Sequence, residues 1–533
     1  MKERPSFFAS LRADLPSSIV VFLVALPLCL GVALASKAPL FSGLIAGMVG
    51  GMIIGALSRS QLSVSGPAAG LTAIVAAAII TMPGGSFTAF LVSVVICGAL
   101  QIVLGFARAG AIGDYIPSSV IKGMLAAIGL ILILNQFPHL LGDDSQFETD
   151  ESVPAPAQKG NIFTNFIGAF GNINKVAFLI GGVCLAFHFL WEKIVAGSKG
   201  FIRLIPAPLL VVLIGIGISL ALGSNGALDR QHFVILPQAS SAGEFFSFFT
   251  SPDWSVIGNS HVWITGITLA IVASLETLLS IEAIDDLDPY QRVTDKNHEL
   301  KAQGVGNLVS GLIGGLPVTS VIVRSSANVN SGAQTKKSAI MHGALLLLCV
   351  AFIPNLLNLI PKAALAAVLI FTGYKLAKPS LFVHFYKKGW DQFLPFVITI
   401  AAILATDLLK GVILGIFIGL FFVLRSNFRT AVMVVSDTNR YLFRLRKDVS
   451  FLNKAVIKNR LERVPANSYV LIDATRADFI DRDVIEVIED FTKHAQLKQI
   501  RVEVKGSLER SNGLSRFAHV PAPDPEALQP QRV

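Results

Sequence analysis

The chain has 533 residues, 53% of them hydrophobic and 15% charged, with a formal net charge of +9. Soluble domains carry about a quarter charged residues, and here the apolar residues gather into uncharged blocks of roughly 16 to 23, each able to cross a hydrocarbon core roughly 30 Å thick. A soluble enzyme is excluded on that ground. A nucleic-acid binder is excluded because the Lys and Arg residues lie in short loops between the blocks.

The blocks predict fourteen membrane segments, at 17–35, 40–57, 66–81, 87–107, 117–138, 176–195, 204–222, 262–283, 299–313, 319–332, 337–357, 361–377, 392–408 and 409–425. The third, ninth and tenth are short and rich in Gly, Ser or Pro. The run beginning Met1-Lys-Glu-Arg is too long in its first apolar stretch for a cleavable signal, so the first segment is expected to insert the chain. With the N-terminus in the cytoplasm, the cytoplasmic junctions hold most of the basic residues, among them Arg59, Arg108, Lys193, Arg292, Lys296, Lys336, Lys337, Lys387, Lys388 and Arg425. The opposite junctions hold few, such as Lys37, Arg230 and Lys362. This predicts both termini on the cytoplasmic side of an inner membrane, with the acidic, Pro-rich loop 141–160 outside.

Composition changes after Phe428. Ala431–Ser436 and Tyr441–Arg446 alternate like strands, Ser468–Asp473 reads as a buried strand, Asp481–His494 has helical spacing, and Ile500–Val504 is a further strand. Such a pattern predicts a small α/β domain over 430–507. The Pro-rich tail at 508–533 is expected to be disordered. Cys29, Cys97, Cys184 and Cys349 lie within apolar blocks and read as small hydrophobes. No metal-ligand spacing, P-loop or nucleophile motif is present, so no metal, cofactor or enzymatic activity is expected.

Two interrupted segments carry the chemistry. Gln61-Leu-Ser-Val-Ser-Gly-Pro-Ala-Ala-Gly70 opens segment 3, and Gly314-Gly-Leu-Pro-Val-Thr-Ser-Val-Ile-Val-Arg-Ser325 opens segment 10, seven segments later. A pair of Gly/Pro-interrupted segments at matching positions of two halves points to a transporter binding site. Each is expected to enter as a short strand and start a half-helix near the midplane, whose N-terminus suits an anion. The anion is placed against Ser65, Gly66, Ala68, Ala69, Thr319, Ser320 and Val321. Arg324, one turn into the second half-helix, either supplies positive field there, pairs with Glu276, or snorkels to an interface. Glu276 is a lone carboxylate among Leu, Ala and Val in segment 8, with Ser280 four residues on along the same face. The pair suits a coupling cation, H⁺ or Na⁺. Glu282 and Asp407 are expected nearer water.

These features resemble the SulP (sulfate permease) family of anion transporters. The resemblance rests on Ser65-Gly66-Pro67, Glu276, Gln303-Gly-Val-Gly-Asn307, Gly315-Leu-Pro317, Arg324-Ser325 and Gly332-x-x-Thr335, and runs from about Pro5 to about Ser507. It implies two inverted seven-segment repeats, a core domain (segments 1–4 and 8–11) carrying the site, a gate domain (5–7 and 12–14), a C-terminal STAS-like domain and a homodimer. It further implies transport of sulfate, bicarbonate, chloride or dicarboxylates. Two features depart from the family. Val321 and Val323 stand where vertebrate-type members have Ser, which shifts anion binding toward backbone N–H groups. Asp481 is followed by Arg482-Asp483 rather than a phosphorylatable Ser, which argues against a phospho-switch. The Glu276–Ser280 pair is similar to that of the bicarbonate-transporting branch, so bicarbonate with Na⁺ or H⁺ is the first expectation. Sulfate symport or exchange follows, and then an uncoupled channel. A nucleobase transporter of the same fold would want a second carboxylate, and segment 10 offers none.

Overall fold

The computed structural model describes residues 7–111, 117–143, 166–171, 173–197, 205–222, 228–239, 241–406 and 408–506. The acidic loop beyond Asp143, Asp407 and the tail beyond 506 lie outside these. The chain divides into two units, Met1–Ile416 and Phe417–Val533.

In the first unit each of the first thirteen expected segments meets a helix, and the fourteenth runs across the boundary between the units. α1 (Phe7–Ala35) precedes α2 (Leu40–Leu57), whose middle turn, Gly50–Ile54, is a π-helix. Strand β1 (Ser65–Pro67) leads through a 3₁₀ turn, Ala69–Leu71, into α3 (Thr72–Thr81). α4 (Phe87–Phe106), α5 (Ser118–Leu141), α6 (Lys175–Gly197) and α7 (Ala207–Leu222) complete the first half. The second half repeats the plan with α8 (Ser260–Leu287), α9 (Lys296–Leu312), β2 (Val318–Ser320), α10 (Ile322–Asn330), α11 (Lys337–Phe352) and α12 (Lys362–Leu376). It ends in α14 (Trp390–Ala405) and α15 (Leu408–Ala431), in which the boundary between the units falls. Between α12 and α14 stands a helix the apolar pattern did not predict, α13 (Pro379–Lys388), which is amphipathic and ends in Lys387 and Lys388. Among the described residues, seven helical stretches are long and apolar enough to cross a membrane, one of them Lys362–Lys388 made of α12 and α13 together, and α3, α7, α11, α14 and part of α15 are shorter apolar helices.

The helices pack in two groups. α1, α2, α4, α8, α9 and α11 surround β1, β2, α3 and α10, while α5, α6, α7, α12 and α14 pack on one another, and α1 also lies against α12 and α7. Close approach within the first group depends on small residues: a Cβ on Gly98 or Gly304 would sit 2.7 Å or less from backbone atoms of the facing helix. Lys, Glu and Asp are sparse in the interior, as a hydrocarbon-facing shell requires, while the two strands are wholly buried.

The second unit is a four-stranded mixed sheet in the order β3 (Val432–Asp437), β4 (Arg440–Val449), β5 (Tyr469–Ile480), β6 (Arg501–Lys505). The first pair is antiparallel and the other two parallel. α16 (Lys454–Glu462) and α17 (Arg482–Ala495) bring Ile457, Leu461, Val484 and Ile488 onto Phe443, Leu445, Val470 and Ile472. Asp481 caps α17, accepting from the Asp483 N–H. This is the mixed sheet with helices that a STAS-like domain implies. α16 was absent from the sequence expectation.

Candidate anion site

β1 and β2 are three-residue strands that pair antiparallel, Ser65 opposite Ser320, Gly66 opposite Thr319 and Pro67 opposite Val318. Pro67 and Pro317 hold the chain extended here, because the residue before a proline is pushed out of the helical region. Each strand then turns into a half-helix. The caps are Ala68 (φ −104°, ψ 136°) and Val321 (φ −117°, ψ 114°), and neither half-helix has a side-chain cap. The N–H groups of a first turn have no intrahelical partner, so both helices present bare donors.

Both first turns line one cavity of about 70 Å³. One water needs roughly 10–15 Å³ of such space, so a small oxyanion fits. Pro67, Ala69 and Gly70 line it from the first half, and Val321, Ile322, Val323 and Arg324 from the second. α8 adds Glu276, Leu279 and Ser280, and α1 adds Leu28 and Val32. Leu125 and Ile128 of α5, with Thr372 and Leu376 of α12, close it from the other helix group.

Of the residues expected at the site, Ala69, Val321, Arg324, Glu276 and Ser280 therefore meet around one space. Ser65, Gly66, Ala68, Thr319 and Ser320 are buried and are not among its lining residues. Successive strand residues point to opposite faces, and the hydroxyls of Ser65 and Ser320 are bound on the far side: Ser65 Oγ accepts from Gln303 Nε2 at 2.7 Å, and Ser320 Oγ lies 2.6 Å from Ser63 Oγ.

Arg324 is 1% exposed, which rules out snorkelling. Its Nη2 donates to the Pro67 carbonyl at 3.4 Å, and Nε and Nη1 have no hydrogen-bond partner. A Cβ on Gly66 would overlap Nη1, so glycine is what lets the guanidinium lie along β1. Glu276 packs on the 3₁₀ turn, where a Cβ on Gly70 would fall 2.7 Å from its Oε1, and its Oε2 has no partner. Glu276 and Arg324 form no ion pair with each other. A buried cation and a nearby carboxylate that leave each other unpaired are costly unless another ion completes them.

Asn307, part of the motif quoted from the sequence, and residues the sequence did not single out, Gln101, Ser274 and Thr277, hold the strands. Asn307 brackets Val318, its Oδ1 accepting from the Val318 N–H at 2.6 Å and its Nδ2 donating to the Val318 carbonyl at 2.9 Å. Its Nδ2 also donates to Gln101 Oε1, and Gln101 Nε2 donates to Ser274 Oγ of α8. Thr277 Oγ1 accepts from the Ser320 N–H at 3.3 Å. The polar Gln303 and Asn307, one turn apart on α9, were the available signal for this clamp.

Comparison with known proteins agrees with this architecture. The model of the sulfate permease family matches residues 11–401. The chain belongs to that family. It is 23% identical over 524 residues to the putative sulfate transporter YbaR of Bacillus subtilis, covering 96% of this chain and 98% of that one. It is 25% identical over 426 residues to the bicarbonate transporter BicA of a Picosynechococcus species, covering 77% and 70% respectively. Among solved structures, the transmembrane domain of a cyanobacterial BicA superposes with a TM-score of 0.63 at 23% identity, covering 78% of this chain and 99% of that one. The anion transporter SLC26A9 superposes with a TM-score of 0.72 at 17% identity, covering 93% and 84%. The protein is thus a multi-pass membrane anion transporter of the SulP family with a C-terminal α/β unit, and not an enzyme.

Proposed function

We propose that the chain is a secondary transporter of a small monovalent oxyanion, bicarbonate first, coupled to Na⁺ or H⁺ and working by alternating access. The observation that carries this reading is the cavity where two uncapped helix N-termini converge beside an unpaired Arg324 and an unpaired Glu276. Helix N-termini bind anions through bare N–H groups and the positive end of the dipole. A carboxylate with a hydroxyl one turn on, Glu276 and Ser280, is a donor set for Na⁺ or a seat for a proton. Because the cavity walls come from two helix groups, rocking one against the other would open it to either side in turn. The basic loops argue for cytoplasmic termini in an inner membrane, and the family resemblance for a homodimer.

The test is uptake of radiolabelled bicarbonate and sulfate into proteoliposomes, with and without imposed Na⁺ and H⁺ gradients, for wild type and Glu276→Gln. Gradient-driven bicarbonate uptake, lost in the variant, is the expected result. Uptake indifferent to both gradients and to Glu276 would leave an exchanger or a channel. Sulfate is the second reading, favoured by relatives described as sulfate transporters, including YbaR.

A further inference from the structure

A second buried carboxylate lies outside the cavity. Glu299, in the first turn of α9, is 0% exposed, and so is Gln303 one turn later. Glu299 Oε2 accepts from Ser58 Oγ at 2.5 Å, and Oε1 accepts from Gln303 Nε2 at 3.0 Å. The same Nε2 donates to Ser65 Oγ of β1 at 2.7 Å. Glu299 makes no ion pair: Lys336, the cation near it, donates to the carbonyls of Ala56 and Ser58. Among the described residues, then, a buried acid is held by two neutral donors, one of which reaches the strand that begins the anion site.

Two features show that this chain of bonds sets position. Gln303 Oε1 has no partner, so the amide is oriented by its NH₂ side alone, toward Glu299 and Ser65. β1 has no slack against α2, because a Cβ on Gly50 of the π turn would overlap the Ser65 carbonyl. Ser65 is therefore held by both the π turn and Gln303, three residues before Ala68 starts the half-helix.

Resting on the reading of the cavity as an anion site, we propose that Glu299 is a positioning residue for that site. By orienting the Gln303 amide it fixes Ser65, and with it the height at which the Ala69 and Gly70 N–H groups enter the cavity. Its contribution is its acceptor geometry and not its charge, since a glutamine carbonyl in the same place can accept from Gln303 while its NH₂ donates to Ser58.

The experiment measures KM and Vmax for bicarbonate and sulfate uptake by the full chain in proteoliposomes, for Glu299→Ala, Gln303→Leu and Glu299→Gln. Hydrogen exchange of residues 62–72 in the purified protein is followed alongside. Glu299→Ala and Gln303→Leu are expected to raise KM at least tenfold with Vmax within threefold, and to speed exchange over 62–72 about tenfold while α5 is unchanged. Glu299→Gln is expected to restore both to within threefold of wild type. An unchanged KM and unchanged exchange in Glu299→Ala overturn the proposal, as does Glu299→Gln as damaging as Glu299→Ala, which would make the charge the functional element. A wild type that takes up neither anion refutes the transport reading instead, and the exchange measurement then decides the positioning role by itself.

Discussion

At Gly66 and Gly70 the absence of a side chain is what gives the site its charges. A methyl group on Gly66 would occupy the place of Arg324 Nη1, and one on Gly70 would sit 2.7 Å from Glu276 Oε1. Gly66→Ala is expected to displace a buried guanidinium and cut anion uptake by tenfold or more at unchanged expression, measured as initial rates in vesicles. Gly70→Ala presses on the carboxylate, so under the proposed coupling at Glu276 its defect is expected in the cation dependence: the half-saturating Na⁺ or H⁺ concentration rises several-fold while anion KM moves less. Val321 and Val323 both line the cavity, so the hydroxyl-poor wall inferred from the sequence is a property of the space itself. One added hydrogen bond is worth about 0.5–1.5 kcal/mol. Val321→Ser is therefore expected to lower the KM for sulfate by roughly two- to tenfold, read by uptake at varied sulfate.

The strand pair depends on residues contributed by the helices around it. Asn307 makes two bonds to the backbone of Val318, and removing a partner from buried polar groups costs about 1–3 kcal/mol for each group left unsatisfied. Asn307→Leu is expected to lower the thermal midpoint of the detergent-solubilised protein by several degrees and to abolish uptake, measured by fluorescence-detected melting and transport. In the α/β unit, hydrogen bonds from Thr475, aided by Arg444, hold the Asp473 carboxyl below the usual carboxylate range. A carboxylate with a depressed folded value contributes stability that is present above its unfolded value and lost as pH falls through the folded one. Proteolysis of this unit should therefore accelerate below about pH 4, the unfolded carboxylate range, and Asp473→Asn should remove that acid-dependent component.

The whole molecule was legible in the sequence to different depths. Apolar blocks mark each membrane segment because a bilayer leaves a chain few alternatives to a helix, and the Gly/Pro interruptions mark where backbone departs from it. The facing of individual side chains was not legible. Ser65 and Ser320 stand in the site motif yet turn away, because a one-residue step along a strand reverses the side chain. Leu125, Ile128, Thr372 and Leu376 resemble any other membrane-helix residues, and only the packing of the two helix groups brings them to the cavity. Glu299 reads as an ordinary acidic residue in a first helical turn until Ser58 and Gln303 are seen to enclose it.

Arg324 and Glu276 line the same cavity from helices of one packed group, so any displacement of that group carries both. When Glu276 is ionised the two charges offset each other, and the electric field across the membrane does no net work on this pair as that group moves. With about 2.3 kcal/mol per elementary charge per 100 mV at stake, protonation of Glu276 would leave Arg324 uncompensated and make that movement voltage-dependent. The voltage dependence of uptake would then report whether Glu276 carries its proton.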